Sequence, residues 1–209
     1  MTLTLWDHPD SSNALKVRFL LAELGLAYER ETVPMGRPRP QRYLDLNPVG
    51  GIPALIDEGF VLAESQAILR YLATRQERDD LYPASPCERA RVDEFLDRFA
   101  TGLRTALFRH EAPALGWSLE KGFDPADADL DAAAKVAGEL NGPLSLLESV
   151  VGGDGATVLG RFTIADCAIA PVLFRTTVTG LSLDGHPKLA RLRDSLLARP
   201  AWAAADPVL

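Results

Sequence analysis

The stretch IPALIDEGFVLAESQAILRYL, residues 52–72, decides how the first third of the chain folds. It opens with two short apolar runs, Ile52–Asp57 and Phe60–Leu62, which are separated by the pair Glu58-Gly59. Such a pair is typical of a tight turn between antiparallel strands. Apolar residues at helical spacing follow over Ser65–Arg75. We therefore predict a β-hairpin followed by a helix.

The residues before this stretch alternate between strand and helix patterns. Leu3–Trp6 and Tyr28–Val33 are predicted strands, and Asn13–Leu24 is a predicted helix because its apolar residues share a face and a glycine follows its end. Residues 34–43 are rich in Pro, Gly and Arg and are expected to form a loop. The order βαβ followed by ββα predicts an α/β domain over residues 1–76.

The second part of the chain shows helical spacing only. Residues 77–86, charged and proline-containing, are interpreted as a linker. Residues 87–209 contain no strand pattern, which predicts an all-helical second domain. The predicted helices are Glu88–His110, Asp127–Val150, Thr163–Val178 and His186–Arg199. Residues 138–143, which contain two glycines and a proline, are expected to kink or break the second of these helices.

Composition narrows the classes of function. The chain has 209 residues, of which 47% are hydrophobic and 24% charged, as in ordinary globular proteins. Its net charge of −7 disfavours non-specific binding to nucleic acid or to an anionic membrane surface. Two cysteines and three histidines lack the spacing of a disulfide scaffold, a CxxC redox pair or a metal site. We expect no signal peptide, no membrane span and a cytoplasmic location.

Polar residues stand at the start of the first predicted helix. Ser11, Ser12 and Asn13 are residue types that cap a helix N-terminus. A hydroxyl at the same position also suits the binding of an anion. No histidine is placed by a motif to act as a base for these serines, and Gly-x-Ser-x-Gly is absent, which disfavours a serine hydrolase. Capping and anion binding both remain open at this point.

Three further groups of residues are candidates for a binding site. Ile52-Pro53 is compatible with a cis peptide bond and either opens an edge strand or turns the backbone of Ile52 toward an extended ligand. Glu64-Ser65 either caps the following helix or binds an amino-acid group, with the helix amides on its carboxylate and Glu64 on its ammonium. The third group consists of Arg37, Arg39 and Arg42. These arginines either lie exposed to solvent in a loop or bind an anion together.

In this order, the segments resemble the glutathione S-transferase family of the serine type, which includes the zeta, phi, tau and related bacterial classes. Residues 11–18 are similar to its active-site segment, and residues 47–53 together with 62–72 are similar to its glutathione-site signature. Residues 160–166 look like its helix-capping motif, in which Thr163 and Asp166 form a capping box with a structural role. Across nearly the whole chain, the resemblance implies a thioredoxin-like N-terminal domain, an all-helical C-terminal domain and a homodimer.

The resemblance also implies roles for individual residues. Ser11, six positions before Val17, would be the catalytic serine, and Ser12 and Asn13 could share or replace its role. Glutathione contacts are assigned to Arg39, Gly51, Ile52, Pro53, Glu64 and Ser65. Among these, Ile52 would pair with the cysteinyl unit, whereas Gly51 stands where the family often carries Lys or Gln.

The expected partners are glutathione, as co-substrate, and a small hydrophobic electrophile, with no nucleic acid, membrane or metal. The electrophile would bind between the domains, and Phe108, Trp117 and Phe123 are candidate walls of its pocket. Conjugation, isomerisation, dehalogenation and peroxide reduction all remain open as the reaction. The alternatives are a transferase-like interaction module without catalysis, a glutathione-dependent isomerase and a disulfide reductase.

Overall fold

The computed structural model describes residues 3–208. Met1, Thr2 and Leu209, at the outer ends of the two predicted domains, lie outside the described residues. The strands of the N-terminal part are β1 (Leu3–Asp7), β2 (Tyr28–Thr32), β3 (Ala54–Asp57) and β4 (Phe60–Ala63). Its helices are α1 (Ser12–Glu23), α2 (Gln41–Leu44) and α3 (Ser65–Arg75). The predicted βαβ and ββα units are confirmed.

The four strands form one mixed sheet in the order β2-β1-β3-β4. β1 pairs in parallel with β2, as a helical crossover through α1 requires, and antiparallel with β3. β3 and β4 form the predicted hairpin, in which Glu58 and Gly59 adopt φ values of 49° and 89°. This topology places the loop between β1 and α1 beside the chain that enters β3.

The prediction that residues 34–43 form only a loop is wrong at its end. A single helical turn, α2, begins at Gln41. Tyr43 is fully buried and stacks on Trp6 of β1, with 5.8 Å between the ring centroids. Packing of this one aromatic ring holds the helical turn against the sheet. The Pro- and Arg-rich composition of the segment does not indicate such a contact, so the sequence did not predict the turn.

The C-terminal part is built from seven α-helices within residues 3–208. They are α4 (Pro86–Arg98), α5 (Arg104–Ala114), α6 (Leu130–Glu139), α7 (Asn141–Val150), α8 (Ile164–Thr179), α9 (Pro187–Leu197) and α10 (Pro200–Ala204). The single helix predicted over residues 88–110 is interrupted by a π-helical turn, Phe99–Leu103. The break predicted within residues 127–150 is confirmed, since α6 ends at Glu139 and Pro143 lies in the first turn of α7, where a missing N–H is tolerated.

A short hairpin interrupts the helical part, although the sequence predicts no strand there. β5 (Trp117–Ser118) and β6 (Gly122–Phe123) pair antiparallel, and each has only two residues, too few for a strand pattern. The hairpin reaches the N-terminal domain, because the Arg37 amide donates to the Leu119 carbonyl at 2.9 Å. A Cβ added to Gly36 would lie 1.9 Å from the Glu120 carbonyl oxygen, so the two backbones touch without room for a side chain.

Helix α8 joins the two domains into one core. It is buried nearly all round, as its uniformly apolar sequence predicts, and it packs against α1. The predicted capping box is present at its start, where the Thr163 amide donates to Asp166 Oδ2 at 2.8 Å. Asp166 Oδ1 also accepts from the Val158 amide at 2.7 Å, which fixes the loop that leads into α8. Among residues 3–208, no helix is long and apolar enough to cross a membrane.

Candidate active site

A cleft of about 320 Å³ opens where the β1–α1 loop meets α5 and the β5–β6 hairpin. Eight of the residues singled out in the sequence line it, and five of them come from three separate segments of the N-terminal domain. These five residues are Ser11, Ser12, Asn13, Arg39 and Ile52. The fold therefore brings the serines at the helix start together with the residue before Pro53, as an active site of the predicted kind requires.

Ser11 is the N-cap of α1. Its backbone is extended (φ −79°, ψ 109°), and its Oγ accepts a hydrogen bond from the Ala14 amide at 3.3 Å. The capping interpretation is thus confirmed, but it uses only the oxygen. Among the described residues, no acceptor takes the hydroxyl hydrogen of Ser11, so this group can donate to a ligand anion at the positive end of the helix.

Ser12 and Asn13 have partners that differ from those of Ser11. Ser12 Oγ accepts from Nη2 of Arg104 at 3.0 Å, which links the first turn of α1 to α5. Asn13 Oδ1 accepts from the Lys16 ammonium at 2.7 Å. Burial, together with the nearby Arg104, lowers the pKa of Lys16 from 10.5 to about 7, and Glu111 opposes the shift. Two basic side chains therefore stand directly behind the serines.

The peptide bond between Ile52 and Pro53 is cis, as predicted. Ile52 precedes β3 and faces the cleft, whereas the paired residues of β3 begin at Ala54. The carbonyl of Gly51 accepts from the side-chain amide Nδ2 of Asn47 at 2.8 Å and from the Tyr43 hydroxyl, which anchors the turn before Ile52. The backbone of Ile52 is thus held at the cleft by its neighbours on both sides.

Arg39 reaches the cleft with most of its donors already in use. Nε donates to the Gly50 carbonyl at 3.0 Å, and Nη1 donates to the Gly36 carbonyl at 2.9 Å and to the carbonyls of Pro34 and Met35. This guanidinium therefore organises the loop between β2 and α2. Its role in binding a glycine carboxylate remains a prediction, with Nη2 as the donor left for it.

Glu64 and Ser65 lie at the start of α3 and outside the lining of the cleft. Glu64 adopts a left-handed conformation, with φ 69° and ψ 109°, and makes no side-chain cap. The alternative that Ser65 caps the helix is wrong, because Ser65 is the first helical residue and Glu64 occupies the cap position. Strained non-glycine backbone of this kind concentrates at functional sites. The uncapped amides and the strain both favour the ligand-binding interpretation of this pair.

All three aromatic residues proposed from the sequence as pocket walls line the cleft. Trp117 lies 5.7 Å from Phe108 and 4.9 Å from Phe123, measured between ring centroids. Phe108 belongs to α5, and the other two rings belong to the hairpin, so the C-terminal domain supplies an aromatic wall opposite the serines. Such a wall suits an apolar or planar second substrate.

Comparison with known proteins gives the same assignment over the whole chain. The family model of the glutathione S-transferase N-terminal domain matches residues 1–74, and that of the glutathione S-transferase C-terminal domain matches residues 73–203. The chain belongs to the glutathione S-transferase family. This confirms the family and the fold expected from the sequence, and with them the expectation of a glutathione transferase. Membership of a serine-type class remains a prediction.

Three relatives of the transferase illustrate the range of the family. The maleylacetoacetate isomerase of Pseudomonas aeruginosa is 30% identical over 211 residues, covering 98% of this chain and 96% of the isomerase. The glutathione S-transferase GstB of Escherichia coli K12 is 30% identical over 203 residues, covering 95% of each chain. Glutathione transferase URE2P6 from Phanerochaete chrysosporium, solved with oxidized glutathione, is 28% identical, with a TM-score of 0.80 over 97% of this chain and 94% of that chain.

Sequence reasoning missed two basic residues of this transferase. Arg104 lines the cleft, and Lys16 lies behind it at 2% exposure. Lys16 falls on the helix face shared with Ser12, so its burial had a weak signal in the helical spacing. Arg104 had none, because it meets Ser12 across 92 residues of sequence. Among residues 3–208, no group of three or more His, Cys, Asp or Glu residues is arranged to hold a metal ion.

Proposed function

We propose that this chain binds glutathione in the cleft and activates its thiol for attack on a small electrophile. The observation that carries the proposal is the Ser11 hydroxyl, which caps α1 with its oxygen and keeps its hydrogen for a ligand at the cleft. Family membership supports glutathione as the co-substrate, and so does the oxidized glutathione found in URE2P6. Glu64, Ser65 and Ile52 are proposed to hold the peptide so that its thiol faces Ser11.

The proposed activation is sufficient in magnitude. A free cysteine thiol has a pKa of about 8.5, and half-ionisation at pH 7 requires a shift of about 1.5 units, or about 2 kcal/mol. A hydrogen bond to a charged acceptor contributes about 1.5–3 kcal/mol. The N-terminus of α1 adds about 0.3–1 kcal/mol. Ser11 therefore stabilises the thiolate by donating a hydrogen bond, and it keeps its own proton.

Three measurements test this proposal. Wild-type protein is expected to be retained on immobilised glutathione, to elute with free glutathione, and to give a saturable heat of binding in calorimetry. It is then expected to conjugate glutathione to a chlorodinitrobenzene electrophile. Lack of binding at millimolar glutathione would contradict the proposal and would favour the interaction module, whose partners would then have to be sought among proteins.

A glutathione-dependent isomerase is the second candidate. The similarity to the maleylacetoacetate isomerase of Pseudomonas aeruginosa, over 98% of this chain, favours it. The same thiolate would serve, because addition of the thiolate to a double bond, rotation and elimination return glutathione unchanged. A cis-to-trans isomerisation assay with an unsaturated acid distinguishes the two, since an isomerase turns over without consuming glutathione. Disulfide reduction would instead release oxidized glutathione.

We also propose a homodimer. A groove of about 780 Å³ runs between α4, the π-helical turn and α7. Leu146 and Val150 at this groove are 67% and 36% exposed, and exposed apolar patches mark interaction surfaces. At the rim of this groove, Arg91 and Arg98 form ion pairs with Glu94 at 2.7 and 2.8 Å. The rim therefore carries positive and negative charge, and in a twofold dimer the arginines of one copy can face the glutamate of the other.

Sedimentation velocity at micromolar concentration tests the dimer. Wild-type protein is expected to sediment as a dimer, and Leu146→Asp is expected to sediment as a folded monomer. A monomeric wild type would contradict the proposal. We further propose a cytoplasmic location and a division of the chain at residues 77–86, which follow the end of α3 at Arg75 and lie just beyond residues 73–74, where the two family models meet.

A further inference from the structure

A buried cluster of charged side chains lies behind the serines, at the boundary between the two domains. We call this set the basic cluster, and its members are Lys16, Arg104, Glu111 and Arg175. Glu111 is 3% exposed and lies 3.2 Å from Nη2 of Arg104 and 3.7 Å from Nη1 of Arg175. Two guanidinium groups therefore share one carboxylate, in a chain whose net charge is −7. A buried excess of positive charge needs an anion nearby to offset its desolvation.

Arg104 is the member of the basic cluster that lines the cleft. Its Nη2 donates a hydrogen bond to Ser12 Oγ and forms an ion pair with Glu111 at 3.2 Å. Its Nη1 is buried and, among the described residues, has no hydrogen-bond partner, and the same holds for Arg175 Nη1 and for both carboxylate oxygens of Glu111. A buried guanidinium N–H without an acceptor is rare and unfavourable, and such groups usually find a partner in a ligand or an ordered water.

Neighbouring groups hold the guanidinium of Arg104 in place at the cleft. The guanidinium carbon lies 5.1 Å from the centre of the Phe108 ring, and the side chain is 15% exposed. Arg175, which also pairs with Glu111, is only 3% exposed and does not itself line the cleft, although its Nη2 donates to the carbonyl of Asp10, a cleft residue. The π-helical turn Phe99–Leu103 directly precedes Arg104, and turns of this type occur frequently at functional sites.

We propose that Arg104 is the anion-binding residue of the cleft, and that its guanidinium group receives a negative charge that the substrates bring there. This inference rests on the proposed function. Two anions meet the requirement, namely the thiolate of bound glutathione and a carboxylate carried by the electrophile. Both accept a charge-assisted hydrogen bond from a guanidinium, and Arg104 reaches the first turn of α1, where the thiolate is proposed to lie.

The test compares three variants of the full-length protein. Arg104→Gln removes the charge, Arg104→Lys restores a charge, and Arg109→Gln is the matched control. Arg109 lies on the same helix, is 59% exposed and pairs with Glu139 at 2.9 Å, away from the cleft. For each protein we would measure the affinity for glutathione, the thiol pKa of the complex by ultraviolet absorbance, and kcat/KM for a chloronitrobenzene and for its carboxylate-bearing analogue.

The two sources of the anion give different results. If Arg104 stabilises the thiolate, Arg104→Gln raises the thiol pKa by about 1 unit and lowers kcat/KM at pH 6.5 for both electrophiles by about tenfold, and Arg104→Lys recovers most of the loss. If Arg104 binds the electrophile, the thiol pKa is unchanged and kcat/KM falls about tenfold or more for the carboxylate alone. Either pattern supports the inference.

An Arg104→Gln protein that matches Arg109→Gln in thiol pKa and with both electrophiles would overturn the inference. That outcome differs from failure of the proposed function, in which wild-type protein itself does not bind glutathione. Arg104→Gln leaves Glu111 paired with Arg175, and Glu111 is therefore kept in every variant. If Arg104→Gln misfolds, it is replaced by Arg104→Met, which also removes the charge but keeps an unbranched side chain beside Phe108, and which is measured in the same way.

Discussion

Replacing Ser11 with alanine separates two roles of one hydroxyl. Oγ accepts from the Ala14 amide at 3.3 Å, so the substitution removes a helix cap and lowers stability by about 1 kcal/mol. The larger effect falls on the bound thiolate, which loses a hydrogen bond of about 1.5–3 kcal/mol. Since one pKa unit corresponds to about 1.4 kcal/mol, the thiol pKa of the glutathione complex is expected to rise by about 1–2 units.

The assay is the pH dependence of kcat/KM for conjugation of glutathione to a chlorodinitrobenzene. In Ser11→Ala, the ascending limb of the profile shifts to higher pH by about 1–2 units, and the rate at pH 6.5 falls by about 10–100-fold. Glutathione affinity changes little, because the peptide is proposed to be held by Glu64, Ser65 and Ile52. The loss is therefore expected in kcat rather than in the binding of glutathione.

Two controls make the result specific to Ser11. Asp129→Ala removes a comparable cap at the start of α6, where Oδ1 accepts from the Ala132 amide at 2.9 Å, and it lies outside the lining of the cleft. Ser12→Ala removes the neighbouring hydroxyl, which already accepts from Arg104. A Ser11→Ala enzyme whose pH profile and turnover overlay those of Asp129→Ala would refute the role given to Ser11.

Three other substitutions have expected outcomes of their own. Asp166→Ala leaves two buried amides without acceptors, so the free energy of unfolding in urea falls by about 2–5 kcal/mol, and a loss under 1 kcal/mol would contradict the capping account. Lys16 has a pKa of about 7 when folded and 10.5 when unfolded, so the unfolded chain binds more protons between these values and wild-type stability rises with pH there. Lys16→Met removes this rise, so the difference in unfolding free energy between the two proteins should change by about 2–3 kcal/mol between pH 7 and pH 9. A difference that stays constant over this range would contradict the lowered pKa of Lys16. Gly36→Ala forces apart the contact with the Glu120 carbonyl and is expected to lower the free energy of unfolding by about 1–3 kcal/mol. The control Gly138→Ala, in a helix with open space around the glycine, is expected to be neutral or stabilising. Equal changes in unfolding free energy for the two variants would contradict a tight contact at Gly36.

Local signals in the sequence predicted the elements that frame the cleft. The turn at Glu58-Gly59, the cis bond before Pro53 and the capping box of Thr163 and Asp166 each depend on residues close together in the chain. Backbone preferences and capping act over a few residues, so their patterns survive in the sequence. The serines were placed correctly at the start of α1 for the same reason.

The features that the sequence did not predict depend on distant contacts. Arg104 joins the site through a hydrogen bond to Ser12 across 92 residues, and nothing around Arg104 distinguishes it from a surface arginine on a helix. The hairpin Trp117–Phe123 has strands of two residues, and its position depends on the loop around Gly36. The π-helical turn at Phe99–Leu103 shows no break in the apolar spacing. Tertiary packing decides all three.

The measurement that tests the central claim most directly is the ultraviolet titration of the thiol in the complex of wild-type protein with glutathione, after calorimetry has established saturation. If Ser11 activates the thiol, the bound thiol is expected to ionise with a pKa near 7 or below, against about 8.5 for a free cysteine thiol. A complex whose thiol still titrates near 8.5 would show that the cleft binds glutathione without activating it. A protein that does not bind glutathione at millimolar concentration would contradict the claim altogether.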